Sequence, residues 1–165
     1  MKQWLAGIGL FDDLELFGWR RLHEGPGDEP QEWQRRPMTI RIVRLGTTRA
    51  PSEGLRIGTV RRPPRGVPKA KFASENWYDV WLPNLAPSET TVKLGRGATT
   101  EREWGAFARR YRAEMAAPDA SRVLDLLAAL SHTADFSVGC YCEDENRCHR
   151  SVLRTLLLAR GAEVK

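Results

Sequence analysis

The sequence predicts an α/β fold: a single three-layer domain in which a mainly parallel sheet is flanked by helices. Three observations predict it. Short runs rich in β-formers interleave with longer amphipathic stretches of helical period. A length of 165 residues suits one hydrophobic core rather than several. Apolar residues at 41% and charged residues at 28% exclude a disordered chain and an integral membrane protein alike.

The elements follow in order. Residues 1–37 stand apart from the rest. Their turn-rich patch Gly25-Pro26-Gly27-Asp28-Glu29-Pro30 lacks donors and stiffness, so it is neither helix nor central strand. This stretch reads as an N-terminal extension, either poorly ordered or ahead of a functional start at Met38. An ordered helix at Leu10–Leu22 docking on the body is the alternative. The apolar run Trp4 to Phe11 is broken by Gly7 and Gly9 and stopped by Asp12 and Asp13, too short for a bilayer. It has neither the basic start nor the cleavage site of a secretory signal, so a cytoplasmic protein with reduced thiols is expected.

The body, residues 38–165, opens with a strand over Thr39–Leu45, in which Ile40 and Ile42 alternate with Arg41 and Val43. A second strand covers Leu55–Val60. From Arg61 to Lys71 the chain holds three prolines, five basic side chains and no acid, and cannot be regular. Tyr78–Leu82 forms a short third strand ended by Pro83. Gly95-Arg96-Gly97 reads as a turn before Thr100, which with Glu103 makes a capping box. Trp104, Phe107, Ala108, Tyr111 and Met115 then share one helical face. Asp119 or Ser121 caps a second helix carrying Val123, Leu124, Leu127 and Leu130. Asp135–Cys142 is a strand with Phe136, Val138 and Cys140 on one side. Val152, Leu153, Leu156 and Leu157 stripe a last helix, stopped by Gly161.

All three cysteines fall between Cys140 and Cys148, in the connection from that strand to that helix. Open parallel sheets put their ligands outside the carboxyl ends of the strands, where this loop lies. Cys148, His149, Arg150 and Ser151 occupy the first helical turn, where free amides and the helix dipole favour an anion. A thiol there, beside Arg147 and Arg150, is expected to have a lowered pKa. Three readings stay open. In the first, Cys148 is a nucleophile or redox thiol and His149 a proton shuttle, while Arg61, Arg65, Arg150, Ser151 and Cys140 contact an anionic ligand. In the second, Cys140, Cys142, Cys148 and His149 hold zinc, although adjacent Cys148 and His149 rarely reach one ion. In the third, Cys140 and Cys148 are small core hydrophobes, and His149 and Arg150 cap the helix or pair with Glu143 or Asp144.

Charge bears on the partner. Residues 1–37 carry five basic and seven acidic side chains, net −2; residues 38–165 carry twenty-one and fourteen, net +7. A basic body favours a phosphate-bearing small molecule or nucleic acid, and equally describes a merely solvated surface. Arg61, Arg62 and Arg65 could face Arg150 across one cleft, where like charges repel unless an anion joins them. Trp77, Tyr78 and Trp81 either stack a base or fill core.

The segments Pro64-Arg65-Gly66 with Lys69 and Lys71, Trp81-Leu82-Pro83-Asn84-Leu85-Ala86-Pro87-Ser88, and the helix with Trp104, Phe107, Tyr111 and Glu114 resemble the YeaO-like branch of domain-of-unknown-function family 488 (DUF488). The terminal Cys140…Cys148-His149-Arg150-Ser151 resembles the signature of the broader family. The likeness runs over roughly residues 39–161 and departs at Val60, where the family pattern has an acid before the arginine. It implies a compact α/β domain of prokaryotic type with Arg61, Arg65, Cys140, Cys148, His149 and Arg150 at shared positions. It implies no particular reaction.

Overall fold

The computed structural model describes residues 37–165 in full, together with the backbone of two short strands, β1 (Trp19–Arg21) and β2 (Trp33–Arg35). The chain divides into two compact units, Met1–Met38 and Thr39–Lys165. In the first, β1 and β2 pair antiparallel, Trp19 opposite Arg35 and Arg21 opposite Trp33. The helix expected over Leu10–Leu22 therefore does not run to its end, since Trp19–Arg21 is strand. The rest of that helix, the Gly25–Pro30 turn and the order of the extension lie outside the described residues.

The second unit is an α/β domain around a four-stranded parallel sheet. Its strands are β3 (Ile40–Arg44), β4 (Leu55–Gly58), β5 (Val80–Trp81) and β6 (Phe136–Cys140), in spatial order β3-β6-β4-β5. Register sets the faces. Ile40 lies opposite Phe136, Ile42 opposite Val138 and Ile57 opposite Val138, so one face is a continuous apolar sheet. The helices α1 (Glu89–Gly97), α2 (Glu101–Met115), α3 (Pro118–Leu130) and α4 (His149–Leu158) follow β5 and β6 in the chain. Phe107, Tyr111 and Met115 of α2, Leu124 and Leu127 of α3, and Val152, Leu153 and Leu157 of α4 join that apolar face in one buried cluster. Burying each such side chain contributes roughly 1.5–3 kcal/mol, which is what holds helices of modest intrinsic stability in place.

The opposite face carries Arg41, Val43, Arg56, Gly58, Ser137 and Gly139, and here the covering layer is loop rather than helix. Gly58 and Gly139 are register partners. A Cβ on Gly58 would stand 2.5 Å from the Tyr78 ring, and one on Gly139 would stand 2.6 Å from Leu45 Cδ2. Two adjacent glycines thus clear the floor on which Leu45 and Tyr78 settle. Arg56, fully buried, ties this layer down. It donates to Glu53 through Nε (2.5 Å) and NH2 (2.8 Å), and through NH1 to the carbonyls of Thr47 and Asn76. Ser137 of β6 donates to the same Glu53 carboxylate at 2.7 Å.

Two local readings are corrected. Gly95-Arg96-Gly97, expected as a turn, forms the end of a helix over Glu89–Gly97. Its glycines argue against it, but Ser88 caps it, and Glu114 accepts from the Ser88 amide (2.8 Å), the Ser88 hydroxyl and the Thr91 hydroxyl. Gly95 is needed there because Phe107 passes 2.7 Å from where its Cβ would be. Helix α3 starts at Pro118 with Ala117 as an N-cap that offers no side chain, so neither Asp119 nor Ser121 caps it; proline at the first helical position sets φ instead. The chain end is structured too: Val164 bridges to Ile40, with Ile40 N–H donating to Glu163 O and Lys165 N–H to Ile40 O. The Thr100–Glu103 capping box and the left-handed Gly161 stand as expected.

Candidate functional site

Cysteines 140, 142 and 148 meet at the carboxyl end of the sheet. Cys140 ends β6 and is buried; Cys142, two residues on and past a bend at Tyr141, is exposed; Cys148 is the buried N-cap of α4. Their sulfurs all lie within 4.8 Å of one another, and those of Cys140 and Cys142 are 3.7 Å apart. All three are free thiols.

The connecting loop is fixed from several sides. Glu143 accepts from Arg44 of β3 (2.8 Å), Glu145 from Arg154 of α4 (2.8 Å), and Arg147 pairs with Glu101 of α2. Arg147 also lies over the Trp104 ring. Asp144 Oδ1 accepts from the Asn146 amide, and Ser151 donates its hydroxyl to Cys148 O. Arg150 is buried and reaches back along the loop, donating through NH2 to Cys142 O at 2.7 Å while its Nε has no partner. The expected pairing of Arg150 with Glu143 or Asp144 is absent because Arg44 already holds Glu143 and Arg150 is spent on backbone.

His149 is buried behind the thiols, edge-on to the fully buried Tyr111 ring at 5.5 Å. The Thr59 hydroxyl donates to Gly139 O (3.0 Å), so its oxygen is left to accept from His149 Nε2–H at 3.2 Å. Nδ1 then presents its lone pair toward the Cys148 sulfur, 3.7 Å away. Burial holds the imidazole pKa down to about 4, so it is neutral near pH 7. Thr59 and Tyr111 were not marked by sequence as site residues. Thr59 sits just past β4 on the same sheet edge as the cysteines, which was the available signal; the Tyr111 contact is purely tertiary.

The lowered pKa expected for the Cys148 thiol falls on Cys142 instead. Contacts with Cys140 and Cys148 draw the Cys142 thiol below its ordinary value, against its partial burial, with Arg150 adding to the effect. Cys140 is pushed up by its contacts with Cys142 and Cys148 and by burial. For Cys148, the contact with Cys140 pulls down, but the contact with Cys142 and burial outweigh it and the thiol is raised. Its position at the helix start is offset by being sealed from water.

The basic loop does not converge on the cysteines through its side chains. Arg61 donates to the carbonyls of Pro87 (3.2 Å) and Ala86 (2.6 Å) and lines a cavity of about 250 Å³ with Asn84, Ser88, Glu114 and Asp119, to which no cysteine-loop residue contributes. Arg62 pairs with Glu89 at 2.5 Å, and only its carbonyl touches the site region, accepting from Tyr141 OH. Arg65 is exposed. Tyr78 is core, Trp77 packs against Tyr141, and Trp81 stays exposed while donating Nε1–H to Val60 O. Among the described residues, no helix is long and apolar enough to cross a membrane.

Fold and site together define a parallel α/β domain with a cluster of thiols where strand hands over to helix. The chain belongs to the DUF488 family: the family model described as the active DUF488-N3 subclade matches residues 40–161. No curated protein and no solved structure matches the chain.

Proposed function

We propose that this protein works through Cys142, the accessible thiol of a site that takes up an electrophilic, anionic ligand at the carboxyl edge of the sheet. The observation that carries the reading is the cluster itself: three sulfurs gathered within 4.8 Å, with one open to solvent and two buried behind it. Cys140 and Cys148 back the attacking sulfur. His149, fixed by Thr59 and neutral, offers Nδ1 as a hydrogen-bond acceptor to the Cys148 thiol, and Arg150 holds the loop carbonyl that orients Cys142. This moves the nucleophile expected at Cys148 to a sulfur within 4.8 Å of it that a ligand can reach.

A phosphate-bearing ligand fits the anionic part of this reading, because the body carries excess positive charge and Arg150 adds its own beside the thiols. A reducing cytoplasm would keep the thiols competent. The test is competitive alkylation of the reduced protein with anionic iodoacetate and neutral iodoacetamide, followed by peptide mapping. Cys142 should label first, and its preference for iodoacetate should exceed that of free cysteine by about tenfold. Labelling no faster than free cysteine, or labelling that begins at Cys140 or Cys148, would refute the assignment.

A further inference from the structure

We infer that Cys140, Cys142 and Cys148 together bind one thiophilic metal ion of the zinc(II) class, with a fourth coordination position open beside Cys142. The inference rests on reading the thiol cluster as the functional centre, and it adds a metal ion to that centre beside the anionic ligand proposed for it.

Distances come first. In a tetrahedral zinc–thiolate site, metal–sulfur bonds of about 2.3 Å set neighbouring sulfurs about 3.8 Å apart. The Cys140–Cys142 edge already measures 3.7 Å, and no edge of the triangle exceeds 4.8 Å. Closing it around an ion needs side-chain adjustments of roughly 1 Å or less. The backbone is arranged for this: Cys140 closes β6, the bend at Tyr141 leaves the Cys142 sulfur 3.7 Å from that of Cys140, and Arg150 pins Cys142 O in the loop that leads to Cys148.

The donor set selects the ion. The loop carboxylates are engaged elsewhere, Glu143 by Arg44, Glu145 by Arg154 and Asp144 by the Asn146 amide, and among the described residues the donors gathered at the centre are the three sulfurs. Three thiolates favour zinc, cadmium or copper(I) over magnesium or calcium. Support from outside the ligands comes from Arg150, whose guanidinium holds the Cys142 carbonyl at 2.7 Å. His149 is a supporting group rather than a fourth ligand: Thr59 anchors its ring, and the group of mutually close donors comprises the three sulfurs alone. Three protein ligands with an accessible fourth position is the pattern of zinc sites that bind or transform something, whereas structural sites close with four.

Cobalt(II) is the probe. The reduced, metal-free full-length chain is titrated anaerobically, and one equivalent should saturate a sulfur-to-cobalt charge-transfer band together with the visible bands of a tetrahedral site. Zinc should abolish both, and saturating zinc should slow Cys142 alkylation more than about tenfold. Cys142→Ser, at an exposed position and with its fold checked by circular dichroism, should weaken zinc binding by at least about 100-fold. Absence of the band, or a band unchanged in Cys142→Ser, overturns the inference. Fast alkylation of Cys142 without a cobalt band overturns the metal site and leaves the thiol reading standing. A cobalt band with slow alkylation of the metal-free protein does the reverse.

Discussion

Removing the Glu53 carboxylate tests the loop layer of the fold most directly. Glu53 is 3% exposed and Arg56 is fully buried, so their ion pair is shielded from water on all sides. Glu53→Ala leaves the guanidinium with only the Thr47 and Asn76 carbonyls, and it strips acceptors from the Ser137 hydroxyl and the Ala50 amide. An uncompensated buried charge costs about 3–5 kcal/mol, and each orphaned donor on the order of 1 kcal/mol more. That approaches the whole stability of a domain this size. Urea unfolding followed by tryptophan fluorescence should show the midpoint collapse in Glu53→Ala, while the double variant Glu53→Leu with Arg56→Met recovers to within about 2 kcal/mol of the parent. Burial pushes the Glu53 carboxyl pKa up, but the hydrogen bonds from Arg56 and Ser137 outweigh it and the folded value lies below the ordinary 4.5. A depressed folded pKa stabilises fully above the unfolded value and ceases to do so as pH falls through the folded one. Stability should therefore decline below pH 4.5, and Glu53→Gln should flatten that decline. A Glu53→Ala protein within about 1 kcal/mol of the parent, or a double variant as unstable as the single, would refute the reasoning.

Other outcomes follow from the same contacts. Gly139→Ala drives a methyl to 2.6 Å from Leu45 and 3.0 Å from the Val43 carbonyl, and should cost about 1–3 kcal/mol by thermal unfolding, partly recovered by adding Leu45→Ala. Thr59→Val keeps the shape but removes the acceptor of His149 Nε2–H; stability should fall by roughly 1 kcal/mol, and nitrogen chemical shifts of the imidazole should report a changed tautomer balance. Arg150→Ala frees the Cys142 carbonyl, so amides of residues 141–147 should exchange faster while those of β6 stay protected. Unchanged loop exchange would mean that Arg44, Arg154 and Arg147 hold the loop without it.

The parallel sheet was legible because Ile40, Ile42, Phe136 and Val138 declare a buried face by alternation, and α2 because Thr100 and Glu103 announce its start. Helix α1 was not, because the residues that stabilise it lie far along the chain: Glu114 on its cap and Phe107 against Gly95. The thiol cluster was legible in the crowding of Cys140, Cys142 and Cys148, but the lowered pKa expected for Cys148 was not met. A helix start lowers a thiol pKa only while water or cations reach it, and Cys148 is 2% exposed. Spacing in sequence likewise said nothing of where Arg61 would turn, since carbonyls at Ala86 and Pro87 claim it only once β5 is laid down beside β4.

The strand order also governs assembly in time. β3 and β4 are separated in the sheet by β6, which emerges from the ribosome about a hundred residues after the first of them. Until then only β4 and β5 have each other as neighbours, and β3 must wait unpaired. Because the keystone of the sheet is synthesised after the other three strands, folding should be slow, with an interval of exposed strand edge that invites chaperones. Because the keystone delivers Cys140, no partially folded nascent chain can gather the thiols early. Their chemistry is withheld until the domain is whole.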